Sequence, residues 1–226
     1  MEIKQMDISS AGDISGIMKY DTIDVWKVDI SFYRDFIFSR LALLNNNEKE
    51  WYGNFYREED KLCFAGGKIF TKILAGRYLG KKPEEINVIS EKYMKPFIEC
   101  AGRLKFNISH SGGYLLLAFS NGCEVGVDIE KKDESFDVLT VVNILHPVER
   151  AVVLESSNLD AFYTIWTAKE AYVKALGTGF SISPSSFYIN KEGFSVSNNA
   201  VSKKYKVVRL DTDREFFKAL CFEINI

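Results

Sequence analysis

The sequence has 226 residues, 46% of them apolar and 27% charged; this allows one large domain or two small ones and excludes native disorder. Its 29 Lys and Arg nearly cancel its 31 Asp and Glu, so a general affinity for nucleic acid is excluded and any bound anion must be held locally. The apolar runs, such as Tyr114 to Phe119, are far shorter than the roughly 20 residues of a membrane helix. No basic segment followed by an apolar run opens the chain, and Cys63, Cys100, Cys123 and Cys221 form no C-x-x-C pair. A cytoplasmic protein with reduced thiols, no membrane span and no zinc site is expected.

In chain order, a segment rich in Ser, Gly and Asp precedes Ile23 to Ile30, whose apolar and polar residues alternate as in a half-buried strand. Asn54 to Tyr78 is read as a helix ending near Leu79, with Gly80 beyond it and Gly66-Gly67 weakening its middle. Lys105 to His110 and Tyr114 to Phe119, separated by Ser111-Gly112-Gly113, form a hairpin pattern. After a break at Gly122 comes the strand Val125 to Glu130. Asp160 to Leu176 has helical periodicity, with Ser157 and Asp160 resembling a capping box and Gly177 a stop signal. Phe187 to Asn190, Tyr205 to Leu210 and Phe217 to Ile226 read as strands. Gly67 to Leu74 can be laid over Lys169 to Leu176 without gaps, Lys72 on Lys174. That echo fits either two related halves or simply two amphipathic helices.

The period of two places Asp128 and Glu130 on one face of their strand, while Glu170 and Lys174, four apart, share a helix face. Either pair alone is ordinary surface chemistry. Together, three carboxylates are the hard oxygen ligands magnesium takes, the remaining positions going to water and phosphate oxygens. Asn107-Ile108-Ser109-His110-Ser111-Gly112-Gly113 adds a histidine, hydroxyls and turn amides suited to phosphate. The residues thus point to a magnesium-dependent enzyme acting on a phosphate or diphosphate ester, with transfer and hydrolysis both open.

Phe106-Asn107-Ile108-Ser109-His110-Ser111, Val125-Gly126-Val127-Asp128-Ile129-Glu130 and Trp166-Thr167-Ala168-Lys169-Glu170-Ala171-Tyr172-Val173-Lys174 occur in that order. They resemble the three signature segments of 4′-phosphopantetheinyl transferases, most closely the larger, monomeric subgroup typified by the enzyme that activates surfactin synthetase. Tyr93-Met94-Lys95-Pro96 is similar to that subgroup's Gly-Lys-Pro segment. The resemblance implies an α+β pseudo-dimer of two similar halves, 1–122 and 123–226, each a small, mainly antiparallel sheet packed with a long helix. Coenzyme A is expected in the cleft between them. By the same carry-over Asp128, Glu130 and Glu170 hold magnesium, Lys174 contacts the diphosphate, Ser109 and His110 help hold coenzyme A phosphates, and Lys95 and Pro96 flank the adenine. Glu170, Lys174 and His110 form the expected catalytic set, with Glu170 the candidate base. The partner is an apo acyl or peptidyl carrier protein, whose serine receives phosphopantetheine while adenosine 3′,5′-bisphosphate leaves.

The sequence departs from the subgroup where an arginine is expected to contact the 3′-phosphate, because Cys63 aligns there. Glu48 and Trp51 stand where lysines are expected, with Lys49 one residue out of register. Two other readings follow: a non-catalytic homologue that binds coenzyme A or a carrier protein, and a magnesium-dependent phosphohydrolase using the same ligands.

Overall fold

The computed structural model describes residues 1–7, 18, 21–90, 94–156, 158–177, 182–190, 196–197, 203–211 and 214–224. It divides the chain into two units, Met1–Ser90 with Pro96–Gly122, and Glu91–Lys95 with Cys123–Ile226. The opening Ser-rich segment, Tyr93 and Ser157 lie outside the described residues.

In the first unit, strands β1 (Glu2–Asp7) and β2 (Thr22–Asp29) are followed by helices α1 (Arg34–Phe38), α2 (Asn46–Asn54) and α3 (Glu58–Leu79). Two short strands, β3 (Val88–Ile89) and β4 (Phe97–Ile98), pair with each other. The hairpin β5 (Leu104–Ser111) and β6 (Tyr114–Asn121) completes a sheet of order β1-β2-β6-β5. Ser111 faces Tyr114 across a turn in which Gly112 and Gly113 both have positive φ, as a tight two-residue hairpin loop requires. The sheet is antiparallel except for β1, which runs parallel to β2.

Two expectations are corrected here. The helix predicted from Asn54 begins at Glu58, because Phe55 is extended and Glu58, Glu59 and Asp60 place negative charge on the first turn. It ends as expected, with Gly80 in the left-handed region accepting the cap position. Gly66 and Gly67 sit within it because a Cβ on either would press on Ile37, Leu115 or Ile108. The strand predicted as half-buried, β2, is buried on both faces, Asp24 included. Asp24 is accommodated by a relay in which Trp26 Nε1 donates to Tyr78 Oη (2.8 Å) and Tyr78 Oη donates to Asp24 Oδ2 (2.7 Å).

Burial pushes the Asp24 carboxyl above its ordinary value, only partly opposed by the Tyr78 hydrogen bond. A raised folded-state value means that Asp24 favours the fold while protonated. That contribution is lost as pH rises from the ordinary carboxylate value through the raised one. Asp24→Asn keeps an acceptor for Tyr78 without the buried charge. The variant is expected to melt a few degrees above the parent at pH 7, the gap closing below pH ~3.5; calorimetry across that range measures it.

In the second unit, β7 (Val125–Lys131) leads through α4 (Pro147–Ser156) to α5 (Leu159–Leu176), then to β8 (Tyr188–Ile189), β9 (Val196–Ser197), β10 (Lys204–Arg209) and β11 (Phe216–Ile224). The sheet, β10-β11-β7, is wholly antiparallel and carries α5 on one side. Tyr172 of α5 meets Phe187 and Tyr205 edge-on within the core. The N-cap of α5 is Asn158, whose side chain accepts from Asp160 N, and Gly177 closes the helix in the left-handed region. Both units thus have the expected α+β form, a mainly antiparallel sheet with a long helix. Among the described residues no helix is long and apolar enough to cross a membrane.

Candidate active site

Gly126, Asp128 and Glu130 alternate on one face of β7, and that face meets α5. A Cβ built on Gly126 would lie 2.1 Å from the Ala171 carbonyl oxygen and 2.3 Å from Ala175 N. The bare glycine therefore brings strand and helix backbones into direct contact, and this approach carries the next residue on the same face to the helix side chains. Asp128, 2% exposed, accepts a hydrogen bond from Lys174 Nζ at 2.6 Å. Glu170, one turn before Lys174, is half-buried. Burial first, then the Asp128 charge, push its carboxyl upward, and Lys174 opposes them. Glu130 lies two residues beyond Asp128 on the strand, opposite Phe217 of β11.

Asp128, Glu170 and Lys174, chosen from separate sequence segments, are thus one electrostatic cluster. No group of three His, Cys, Asp or Glu side chains among the described residues forms a ready metal cage. The charge balance at Asp128 is supplied by the ammonium of Lys174. The donor set nonetheless fits a hard divalent cation. It is all carboxylate oxygen, and such a cation would offset the Asp128 charge that adds to burial in raising Glu170.

Lys95 also belongs to the second unit, where its ammonium donates to Glu124 Oε2 (2.9 Å) and to the Val125 carbonyl oxygen (2.7 Å) at the entry to β7. Pro96, Ser109 and His110 belong to the first. The pleat of β5 sends neighbouring Ser109 and His110 to opposite faces: Ser109 is buried, whereas His110 and Pro96 line a pocket of about 220 Å³ with Phe55, Cys63, Phe64 and Lys68. The Cys63 thiol is pushed up by burial and by the carboxylates of Asp60 and Glu59.

Sequence reasoning missed the buried ion pair behind Glu170. Lys169 Nζ lies 2.6 Å from Glu149 Oε2 and donates to the Phe187 carbonyl oxygen at 2.6 Å. A lysine at a position facing the core was the available signal.

Residues 124–221 match the family described as the 4′-phosphopantetheinyl transferase superfamily, and residues 33–122 match 4′-phosphopantetheinyl transferase, N-terminal. The chain belongs to the 4′-phosphopantetheinyl transferase superfamily, and it is an enzyme of that type. It is similar to a 4′-phosphopantetheinyl transferase of Bacillus subtilis, 28% identical over 80% of this chain and 83% of the relative. It is also similar to the transferase HetI of a Nostoc strain, 26% identical over 71% of each chain. The transferase Sfp of Bacillus subtilis strain 168 is 28% identical over 66% of this chain and 67% of its own. Within the superfamily these likenesses place the chain in the Sfp-type subgroup.

Proposed function

We propose that the chain transfers 4′-phosphopantetheine from coenzyme A to a serine of an apo acyl or peptidyl carrier protein, with magnesium required and adenosine 3′,5′-bisphosphate released. The observation that carries this reading is the cluster of the second unit: Lys174 bonded to Asp128 at 2.6 Å, with the half-buried carboxylate of Glu170 one helical turn before Lys174. The names of the relatives support it.

The carrier serine Oγ attacks the phosphorus that bears pantetheine. The new Oγ–P bond forms as the bond from that phosphorus to the bridging oxygen breaks, and adenosine 3′,5′-bisphosphate leaves with the electron pair. Glu170 takes the serine proton. Lys174 offsets charge on the diphosphate oxygens, and Asp128 holds the Lys174 ammonium in place for this. Magnesium, held by Asp128, Glu130 and Glu170, would add Lewis-acid stabilisation of the same charge. Lys95, Pro96, Ser109 and His110 are the proposed coenzyme A contacts, with His110 near the phosphates.

Incubating the protein with coenzyme A, magnesium and an apo carrier protein, then weighing the intact carrier, tests the reading. A gain of one phosphopantetheinyl group on serine is the expected result. Absence of any gain across acyl and peptidyl carriers would overturn it, and coenzyme A cleavage without a carrier would indicate hydrolysis instead.

A further inference from the structure

In each unit a buried lysine of the long helix donates to a backbone carbonyl and pairs with a glutamate in the first turn of a shorter helix. Lys169 of α5 is 1% exposed and donates to the Phe187 carbonyl oxygen at 2.6 Å. It pairs at 2.6 Å with Glu149, in the first turn of α4. Glu149 in turn accepts from Ile189 N through its other oxygen, at 2.9 Å. In the first unit, Lys72 of α3 donates to the Leu43 carbonyl oxygen at 2.6 Å and pairs at 3.1 Å with Glu48, in the first turn of α2. Glu48 accepts from Asn45 N at 2.9 Å.

The two lysines stand at equal distances before the left-handed glycines that end their helices, 72 before 80 and 169 before 177. They are therefore structural counterparts, and the sequence echo that laid Lys72 on Lys174 had the wrong register. In the corrected one, Glu170 falls opposite Ile73 and Lys174 opposite Arg77. Both units hold the connection, but only the second places a carboxylate beside it.

A buried ion pair is poor evidence for stability, since apolar replacement of similar volume is often neutral. What such a pair fixes is geometry. Lys169 adjoins Glu170, and its partners Glu149 and Phe187, with Ile189 bonded to Glu149, lie on α4 and on residues 187–189, which the pair ties to α5. With α5 backbone against Gly126 and Tyr172 packed on Phe187 and Tyr205, the rotation of the helix about its axis decides whether Glu170 and Lys174 face Asp128, and the ion pair is a further, polar restraint on it. A turn of about 20° at a radius of about 5–6 Å displaces a side chain by about 2 Å, and a misplacement of about 1 Å is enough to cost about 10²-fold in rate.

We infer that the Glu149–Lys169 pair is a positioning clamp that sets the rotation of α5 and so holds Glu170 and Lys174 in register with Asp128. The inference rests on the proposed transferase reading. Lys169→Met combined with Glu149→Gln removes both charges while keeping volume and an acceptor for Ile189 N. Lys72→Met combined with Glu48→Gln is the matched change in the first unit.

The second-unit variant is expected to bind Mn²⁺ about 10-fold more weakly by electron paramagnetic resonance titration and to lose about 30-fold in kcat, while Lys169→Arg stays within about 5-fold of the parent. The first-unit variant is expected to shift the melting temperature comparably without moving Mn²⁺ affinity. Unchanged Mn²⁺ affinity and kcat in the second-unit variant, or equal changes in both variants, would overturn the clamp. Should the double variant not fold, Glu149→Gln alone carries the same comparison. Failure of the parent protein to label any carrier would instead defeat the transferase reading and leave Mn²⁺ affinity as the measure of the clamp.

Discussion

Asp128→Ala is expected to reduce phosphopantetheine transfer by about 10³-fold or more while leaving the protein folded, the rate being read from the mass of the carrier protein and the fold from circular dichroism. In the proposed reaction Asp128 would support transfer in two ways: it restrains the Lys174 ammonium at 2.6 Å, and it would supply one of the carboxylates for a divalent cation. Its loss leaves Lys174 without that restraint and removes a source of the upward shift in Glu170. Breaking a fully buried pair costs about 3–5 kcal/mol, but the Lys174 side chain retains 27% of its exposure and can turn to water. The expected stability loss is therefore nearer to about 1 kcal/mol. Glu170→Ala is expected to abolish labelling in the same way. A near-normal rate in either variant would refute the site.

Gly126→Ala is expected to have the largest effect on stability. The added carbon would lie 2.1 Å from the Ala171 carbonyl oxygen, 2.3 Å from Ala175 N and 2.9 Å from the Lys174 carbonyl carbon. All three are backbone atoms of α5, so no rotamer change relieves the clash. The helix must move away from β7, and with it go Glu170 and Lys174. A loss above about 4 kcal/mol is expected, which lowers the melting temperature by about 10 °C or prevents folding altogether.

Gly66→Ala is the informative contrast. There the Cβ meets the Ile37 and Leu115 methyl ends at 3.1 and 3.3 Å, which can yield, and replacing glycine within a helix returns about 1 kcal/mol. Its effect on melting temperature is expected to be small. A Gly126→Ala protein as stable as Gly66→Ala would show that the close approach of α5 is not required.

The hairpin at Gly112-Gly113, the strand Val125 to Glu130 and the helix ending at Gly177 were legible because each depends on local signals: alternation, helical period, and glycine where the backbone enters the left-handed region. Strand β1 was not legible, since a parallel edge strand takes its place from a partner distant in sequence. Nor was Asp24 within a strand buried on both faces. Its alternation matched a half-exposed strand, and Tyr78, 54 residues away, helps to make its burial tolerable. Helix α4 also escaped notice, because the role of Glu149 depends on Lys169 and on a backbone amide at 189.

For the candidate site, sequence by itself determined which groups are on offer: three carboxylates and a lysine on two regular elements, with side chains set to shared faces by periods fixed in covalent geometry. It also determined the family, through three short segments in a fixed order. Only the tertiary structure decided which of these groups meet. Lys174 is joined to Asp128 because a glycine lets helix and strand touch, and Ser109 is parted from His110 by the pleat of a strand whose two faces have different neighbours. Such contacts depend on how elements pack across long separations in the chain, and no local pattern of residues encodes a packing distance.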